Sequence, residues 1–304
     1  MVCFKKISRV ISTKKIGWIA VFWGIISDKL NEDYKKLKKL EHLSEICNSY
    51  DTFVIDLWGV MHNGISLNDK AIEVADNLLK DSKKIVFLSN APRPSEKVRK
   101  FLQKLKMEEK YLKNIITSGE AAMNEINNNR FGKLFYHLGP SRDESIFYNI
   151  KDNKTKLENS DFILCTGLFD EHEDDLNFYN NFLKNYISKK LICTNPDLIV
   201  HRGEKKEYCA GSIAKVFESL GGSVVYFGKP YKEIYKMCFS SKEKVLAIGD
   251  NLRTDIKGAN NLNIDSIFIS NGVHRNEFKN EGELKKLLEK YKVKTDYFQS
   301  ELTW

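Results

Sequence analysis

Short apolar runs and segments of helical pattern alternate along most of the chain. Apolar runs that suit buried strands include Phe53–Ile55, Lys84–Leu88 and Val245–Ile248. Apolar residues recur at helical spacing in the segments between them, such as Ala71–Leu79 and Ser95–Leu105. Strands that alternate with helices at this spacing are typical of α/β proteins. The pattern therefore predicts an α/β fold with a doubly wound parallel sheet.

The middle third of the chain has a strand and helix alternation of its own. Its expected strands are Lys133–His137, Phe162–Thr166 and Lys190–Thr194, and its expected helices are Leu176–Ile187 and Gly211–Leu220. None of these strands ends in a nucleophile-type residue, so we expect an inserted α/β domain here. The predicted division is an extension over 1–30, a first core part over 31–129, an insertion over 130–222 and a second core part over 223–304.

The first fifty residues combine a basic segment with a short apolar run. Residues 16–26 form an apolar run of 11 residues, which is shorter than the ~18–20 needed to span a bilayer. No small-x-small cleavage site follows it. We expect an extension without a function of its own, and the alternative is an anchor on a membrane surface. Apolar positions 37, 40, 43 and 46 then predict a packed helix over Asn31–Cys47.

Charge and cysteine content narrow the class of protein. The net charge of +8 suggests nucleic acid as a partner, but 41 of the 49 basic residues are lysines spread along the chain. A nucleic-acid groove would need clustered arginine and aromatic residues, so we expect no nucleic-acid partner. The six cysteines contain no C-x-x-C pair, which predicts small core residues in a cytoplasmic protein.

Polar residues directly follow four of the expected strands. These residues are Asp56, the pair Ser89 and Asn90, Lys229 after Val224–Tyr226, and Asp250, with Asp255 five positions further on. The carboxyl ends of parallel strands meet at one edge of a sheet, where open α/β proteins place their chemistry. We therefore expect a nucleophile, a hydroxyl, an ammonium and metal-binding carboxylates to converge there.

This set of groups suits phosphoryl transfer. The Asp56 carboxylate can attack phosphorus and form an aspartyl-phosphate, while the Ser89 hydroxyl and the Lys229 ammonium can bind the phosphate. Gly59 would let backbone amides approach the phosphate closely. A carboxylate that attacks a phosphate needs a cation between them, and Mg²⁺ prefers oxygen ligands. The predicted ligands are Asp56, the backbone carbonyl of Trp58, Asp250 and Asp255.

A series of motifs, in this order, resembles the haloacid dehalogenase superfamily, in particular subclass IIA. The motifs are DLWGVMHNG (56–64), LSNAPR (88–93), TSGEAA (117–122), TNPD (194–197), GKP (228–230) and GDNLRTDIKGAN (249–260). The resemblance implies a Rossmann-like core with a large α/β cap of the C2 type inserted between the serine and lysine motifs. It also implies Mg²⁺-dependent hydrolysis of a small phosphate ester of the sugar-phosphate or nucleotide type. The substrate contacts that it implies are Asn90, Asn195, Asp197, Asn251 and Arg253.

One position departs from the family pattern. Phosphatases of this family usually carry a second aspartate two residues after the nucleophile, as general acid and base, and here the residue is Trp58. Such a group contributes typically about 10²–10⁴-fold to the rate. His62 could replace it, or the substrate could have a leaving group that needs no acid. The remaining alternative is a protein that binds phosphorylated ligands with weak catalysis or none.

Overall fold

The computed structural model describes residues 37–304. The predicted extension over residues 1–30 lies outside the described residues, as does the first part of the helix predicted over Asn31–Cys47. From Lys39 to Trp304 the chain forms one compact unit. Within the described residues, no helix is long and apolar enough to cross a membrane.

Strands and helices alternate as the sequence pattern predicts. The strands are β1 (Lys38–Lys39), β2 (Thr52–Ile55), β3 (Lys84–Ser89), β4 (Ile115–Thr117), β5 (Phe135–Leu138), β6 (Phe162–Cys165), β7 (Lys190–Cys193), β8 (Ile199–Arg202), β9 (Lys205–Tyr208), β10 (Ser223–Tyr226), β11 (Val245–Gly249), β12 (Asp265–Ile269) and β13 (Tyr297–Gln299). The α-helices are α1 (Asp69–Lys80), α2 (Ser95–Lys104), α3 (Ser118–Asn127), α4 (Leu176–Leu183), α5 (Ala210–Ser219), α6 (Lys232–Tyr235), α7 (Lys257–Leu262) and α8 (Glu281–Tyr291). A π-helical turn, Leu252–Ile256, follows β11.

The larger sheet is parallel and carries the predicted strand ends. Strands β2–β4 and β11–β13 lie in this sheet in the order β13-β12-β11-β2-β3-β4. Ile55 of β2 pairs with Phe87 of β3 on one side and with Ile248 of β11 on the other. The three central strands therefore end at nearly the same level, so the residues that follow them share one edge of the sheet.

Helices cover both faces of the larger sheet. Phe53 and Ile55 pack on one face, in a buried cluster with residues of α1 and α2. Val54 lies on the other face, in a buried cluster with Ile234 and Tyr235 of α6. Neighbouring residues of a strand point to opposite faces. A strand in a sheet that is covered on both faces therefore has a continuous run of apolar residues. The predicted α/β fold with a doubly wound parallel sheet is confirmed.

A second sheet lies in the middle of the chain and includes one strand more than predicted. Its strands are all parallel, in the order β10-β7-β6-β5, and β8 and β9 form a separate antiparallel hairpin. Val224 of β10 pairs with Leu191 of β7. The strand Val224–Tyr226 was expected to begin the second core part at residue 223, and that expectation is wrong. The chain returns to the larger sheet only at Val245.

The segment before β2 also differs from its prediction. Over Leu37–Cys47 the structure has no α-helix; it has 3₁₀ turns at Leu43–Glu45 and Cys47–Ser49. The Leu40 and Leu43 amides donate to the carbonyls of Phe298 and Thr303, 3.0 and 2.9 Å away. Apolar residues that recur at every third position also suit 3₁₀ geometry, which has three residues per turn. The leucines are buried as predicted, but backbone pairing with the C-terminal segment replaces the helix.

Packing of the second sheet gives a test of how much its core stabilises the protein. Ile163 of β6 is fully buried, whereas Ile187, in a loop of the same region, is 40% exposed. Ile163→Ala should lower the free energy of unfolding by about 2–5 kcal/mol, and Ile187→Ala by about 0.5 kcal/mol or less. Urea titrations followed by circular dichroism measure both. Equal stability of the two variants would contradict the packing described here.

Candidate active site

Buried carboxylates meet at the edge of the larger sheet. Oxygens of Asp56, Asp250 and Asp255 all lie within 4.8 Å of one another. Asp56 and Asp250 reach this place because β2 and β11 are adjacent and end at nearly the same level. Asp255 returns to it through the π-helical turn, where its Oδ2 accepts the Asn251 amide at 3.1 Å. The structure therefore brings the three carboxylates predicted as metal ligands into one group.

The Lys229 side chain lies inside this group. Its Nζ donates to Asp56 Oδ1 at 2.5 Å, to Asp255 Oδ1 at 2.7 Å and to the Leu88 carbonyl at 2.9 Å. Only 3% of the residue is exposed. An ammonium has three protons, and each of them is used by these contacts. In this arrangement the single Lys229 ammonium bridges the Asp56 and Asp255 carboxylates.

Asn90 holds the main chain of Lys229. Its Oδ1 accepts the Lys229 amide at 2.8 Å, and its Nδ2 donates to the Lys229 carbonyl at 3.2 Å. Asn90 follows β3, so these bonds fix the lysine loop to the larger sheet. The sequence predicted a substrate contact for Asn90, and the structure instead uses both ends of its amide to position Lys229.

The Ser89 hydroxyl is buried beside this group. Its Oγ accepts the Ala91 amide at 3.2 Å. Within residues 37–304 no acceptor for the hydroxyl proton is found. Ser89 is 7% exposed and lines the same cavity as Asp56. A proton that is free to donate into the cavity suits the predicted contact with a phosphate oxygen.

The electrostatics of the group depend on burial. Burial raises the pKa of the Asp56 carboxyl, and the Lys229 ammonium opposes that rise. Burial also raises the pKa of Asp250, with further repulsion from Asp56 and Asp255. Burial works against a charged Lys229, but the carboxylates of Asp255 and Asp56 hold the pKa of its ammonium well above the usual value. One ammonium thus faces an excess of carboxylates.

The carboxylate oxygens around Asp250 are ligands that fit a hard divalent cation. Three carboxylates in reach of one another are an all-oxygen set, which Mg²⁺ prefers. The Val273 amide donates to Asp250 Oδ2 at 2.7 Å. A Cβ atom on Gly59 or Gly272 would lie 2.0 or 2.1 Å from the same oxygen. Backbone therefore closes on Asp250 from both sides and orients its carboxylate, and this close approach requires glycine at both positions.

A turn from the second sheet docks on the loop that carries Asp250. Asp197 Oδ1 accepts hydrogen bonds from Asn251 Nδ2 and Thr254 Oγ1, both at 3.0 Å. Asn195 shapes the turn, because its Oδ1 accepts the Asp197 amide at 3.1 Å. Burial raises the pKa of Asp197 to about 6. The structure brings the predicted substrate contacts Asn195, Asp197 and Asn251 together, and the hydrogen bond between Asp197 and Asn251 connects the two sheets.

Arg253 lies away from this group, which contradicts the predicted substrate contact. Its guanidinium lies 4.6 Å from the centre of the Tyr291 ring. Together with Lys257 and Lys290 it lines a smaller cavity on the outside of the π-helical turn. A π-helical turn has a different number of residues per turn from an α-helix. The direction of Arg253 could therefore not be taken from helical spacing.

Trp58 and His62 are packed against the β8–β9 hairpin. The indole N–H of Trp58 donates to the His201 carbonyl at 2.8 Å, and the Arg202 guanidinium lies 4.9 Å from the centre of the Trp58 ring. His62 is buried, and its Nδ1 accepts the Gly64 amide at 3.0 Å. Burial and the nearby Arg202 cation lower the pKa of His62 to about 4. His62 is therefore a neutral packing residue rather than a proton donor.

A cavity of about 720 Å³ opens above the carboxylates, between the two sheets and the hairpin. Its walls include the predicted site residues Asp56, Trp58, Gly59, His62, Ser89, Asn90, Asn195, Asp197, Asn251, Asp250 and Asp255. Residues of the hairpin and of the second sheet complete it, among them Arg142, Thr166, His201, Arg202 and Tyr208. Its volume is suited to a small molecule.

Sequence reasoning missed a histidine that supports the loop after Asp250. His274 Nε2 accepts the Leu252 amide at 3.1 Å, and His274 Nδ1 lies 2.6 Å from Glu277 Oε1. Tyr291 Oη donates to the same carboxylate at 3.0–3.1 Å. These bonds hold the loop after β11 through its Leu252 amide. The sequence gives no signal for them, because His274 is far from every motif that carries the resemblance.

Comparison with known proteins agrees with this arrangement. Residues 53–150 match the model of the haloacid dehalogenase-like hydrolases, and residues 226–301 match a model described as HAD-hydrolase-like. The two matches together span more than half of the chain. An acid sugar phosphatase from Staphylococcus haemolyticus (strain JCSC1435) is 26% identical over 235 residues, which cover 74% of this chain and 87% of that protein.

Solved structures share this fold over most of the chain. A haloacid dehalogenase-like hydrolase from Brucella suis 1330 is 26% identical, with a TM-score of 0.77 over 87% of this chain and 100% of that chain. A 4-nitrophenylphosphatase from Thermotoga maritima is 25% identical, with a TM-score of 0.60 over 83% and 95% of the two chains. The matched segments include Asp56, Ser89, Lys229 and Asp250, and the chain belongs to the haloacid dehalogenase-like hydrolase family.

Proposed function

We propose that this protein is a Mg²⁺-dependent phosphohydrolase that cleaves a small phosphate monoester through an aspartyl-phosphate on Asp56. The proposal rests on the buried group in which Lys229 bridges Asp56 and Asp255 next to Asp250. A carboxylate excess that is buried needs a further positive charge. The proposed ligands are Asp56, Asp250, Asp255 and the backbone carbonyl of Trp58.

Each residue of the site has its own role in the proposed reaction. Asp56 forms the new bond to phosphorus, and Lys229 offsets charge on Asp56 as the phosphate approaches. Ser89 donates its hydroxyl proton to a phosphate oxygen, while Asn90 keeps Lys229 in place. Bound Mg²⁺ would reduce the repulsion between the carboxylate and the phosphate.

The second sheet and its hairpin are proposed to act as a cap of the C2 type that selects the substrate. Support comes from the cavity, whose upper wall they form, and from the docking of Asp197 on the Asp250 loop. The proposed substrate is of the sugar-phosphate or nucleotide type, which agrees with the acid sugar phosphatase among the relatives. A cytoplasmic location and the absence of a nucleic-acid partner stay predictions.

A binding protein without strong catalysis is the alternative function. Trp58 favours this alternative. Its indole N–H donates to the His201 carbonyl, and an indole cannot supply the proton that an acidic side chain would give to a leaving group. A binder would hold phosphate analogues in the presence of Mg²⁺ without releasing phosphate. Assays on phosphate esters separate the two functions.

Asp56→Asn should reduce Mg²⁺-dependent phosphate release by about 10³-fold or more, because it removes the nucleophile. Thermal unfolding without metal should occur at the same or a higher temperature, because burial disfavours the ionised carboxylate of Asp56. Asp76→Asn, on the surface of α1, is the matched control and should keep wild-type activity. Full activity of Asp56→Asn would refute the mechanism.

Gly59→Ala should weaken Mg²⁺ binding, because its Cβ would displace the Asp250 carboxylate. Gly221→Ala is the matched control: φ is +87° at Gly59 and +92° at Gly221, but no atom lies within 4 Å of a Cβ at Gly221. Both alanines should cost about 1–2 kcal/mol of stability through their left-handed backbone. Isothermal titration with Mg²⁺ should show at least about a tenfold weaker affinity only for Gly59→Ala, and equal affinities would contradict the metal site.

A further inference from the structure

The smaller cavity, on the outer side of the π-helical turn, is lined by charge of one sign. Its volume is about 270 Å³, and its lining residues are Leu252, Arg253, Lys257, Lys290 and Tyr291. The arginine and the lysines are cations at neutral pH, and none of the lining residues is an acid. A concave surface of one sign raises the local concentration of counterions. The cavity therefore attracts small anions.

The protein supplies little negative charge to balance these cations. In the described part of the chain, neither Arg253 nor Lys257 forms an ion pair with a carboxylate. The Lys290 ammonium lies 3.6 Å from Glu277, whose carboxylate also accepts the Tyr291 hydroxyl. One carboxylate thus serves a group of cations, and part of its capacity is already used. The cavity keeps an excess of positive charge.

The cations of the larger cavity are arranged differently. Four of its arginines each pair with a carboxylate that lines the same cavity: Arg93 with Asp143, Arg142 with Asp170, Arg202 with Glu207 and Arg275 with Glu204. Such pairs leave little net charge for a ligand. The positive excess on the outer side of the π-helical turn is therefore a local property, and the lysine-rich composition of the chain does not explain it.

The Tyr291 ring orders two of the cations. The Arg253 guanidinium lies 4.6 Å from the ring centre, and Lys290 Nζ lies 5.5 Å from it. The ring is itself fixed, because its Oη donates to the Glu277 carboxylate at 3.0–3.1 Å. A cation on an aromatic face keeps its charge. Side chains that are ordered before a ligand arrives lose less conformational entropy when they bind it.

We propose that this cavity binds the phosphate group of a small polyanion and is a second site, separate from the cavity above Asp56. The Arg253 guanidinium binds phosphate oxygens through its forked N–H donors, and the ammonium groups of Lys257 and Lys290 add point charges. The volume is below the range of about 300–1,000 Å³ that is typical of sites for drug-sized ligands. A phosphate or a short phosphate chain therefore suits it better than a whole metabolite.

An anion in this cavity lies between three elements of the structure. Arg253 belongs to the π-helical turn, Lys257 begins α7, and Lys290 lies in the last turn of α8. A ligand that contacts all three in the native state, and finds no such arrangement in the unfolded chain, stabilises the native state. Binding should therefore raise the melting temperature of the protein.

The test uses the full chain, stripped of metal, with inorganic pyrophosphate as the probe. Without metal the group around Asp56 repels anions, because its carboxylates face one ammonium whose protons are all donated. Calorimetric titration in sodium chloride of constant ionic strength then reports binding outside that group. Wild-type protein should bind one pyrophosphate, and thermal unfolding should shift to a higher temperature as pyrophosphate is added.

Matched variants assign this binding to the cavity. Arg253→Gln combined with Lys257→Gln should weaken the affinity for pyrophosphate at least about tenfold, because charged hydrogen bonds are lost. The control is Arg130→Gln combined with Lys133→Gln, which removes the same charge. Arg130 also lies on an aromatic ring, 5.6 Å from the centre of Phe131, but Glu125 pairs with it at 2.6 Å. The control should bind pyrophosphate as the wild type does.

Two results would overturn the inference. One is the same affinity for pyrophosphate in wild-type protein and in the double variant of Arg253 and Lys257; if that variant does not fold, Lys257→Gln alone is compared. The other is wild-type protein that binds pyrophosphate with a Kd above about 10 mM. Neither result touches the proposed function, because the titration needs no metal and no turnover.

Inorganic phosphate, titrated in the same way, distinguishes the two sources of the ligand. An affinity for phosphate equal to or above that for pyrophosphate identifies the occupant as the product of the proposed reaction. A higher affinity for pyrophosphate identifies it as the phosphate chain of a larger molecule. Either order supports the site, provided that the double variant of Arg253 and Lys257 loses the binding.

Discussion

The position of one buried ammonium among several carboxylates is the constraint on which the site depends. Lys229 contacts Asp56 and Asp255 directly, and Asp250 lies in the same group. A buried charge that loses its partner is strongly destabilising. The chain therefore holds three members of the group by separate bonds: Asn90 holds Lys229, the Val273 amide holds Asp250, and the Asn251 amide holds Asp255.

Hydrogen bonds also hold the second sheet to the larger one. Asp197 bonds to Asn251 and Thr254 of the loop after β11, and His201 accepts the indole proton of Trp58. A further hydrogen bond joins Ser118 at the start of α3 to the Thr194 carbonyl. The contacts of Asp197 with Asn251 and of Trp58 with His201 lie at the wall of the cavity. The second sheet thereby fixes the shape of the space above the carboxylates through polar groups, while its own core remains separate and apolar.

The sequence was sufficient for the parts of the site that depend on local pattern. Asp56, Ser89 and Asp250 each follow an apolar run, and parallel pairing brings such ends together whatever the loops do. It was insufficient where long-range pairing decides. The run Val224–Tyr226 suits either sheet equally, and only its pairing with β7 assigns it to the second. Arg253 was misplaced because its substrate contact came from the resemblance to the family, whereas in the π-helical turn its side chain lies on the Tyr291 ring.

Because β10 belongs to the second sheet, the chain passes from that sheet to the fixed lysine within three residues. The Phe227 amide still bonds to the Cys193 carbonyl of β7, whereas Lys229 is clamped to Asn90 of the larger sheet. Between them lies Gly228, with φ +111° and no room for a Cβ beside Asn90 Oδ1. A single short segment therefore couples the end of the second sheet directly to the lysine that contacts Asp56.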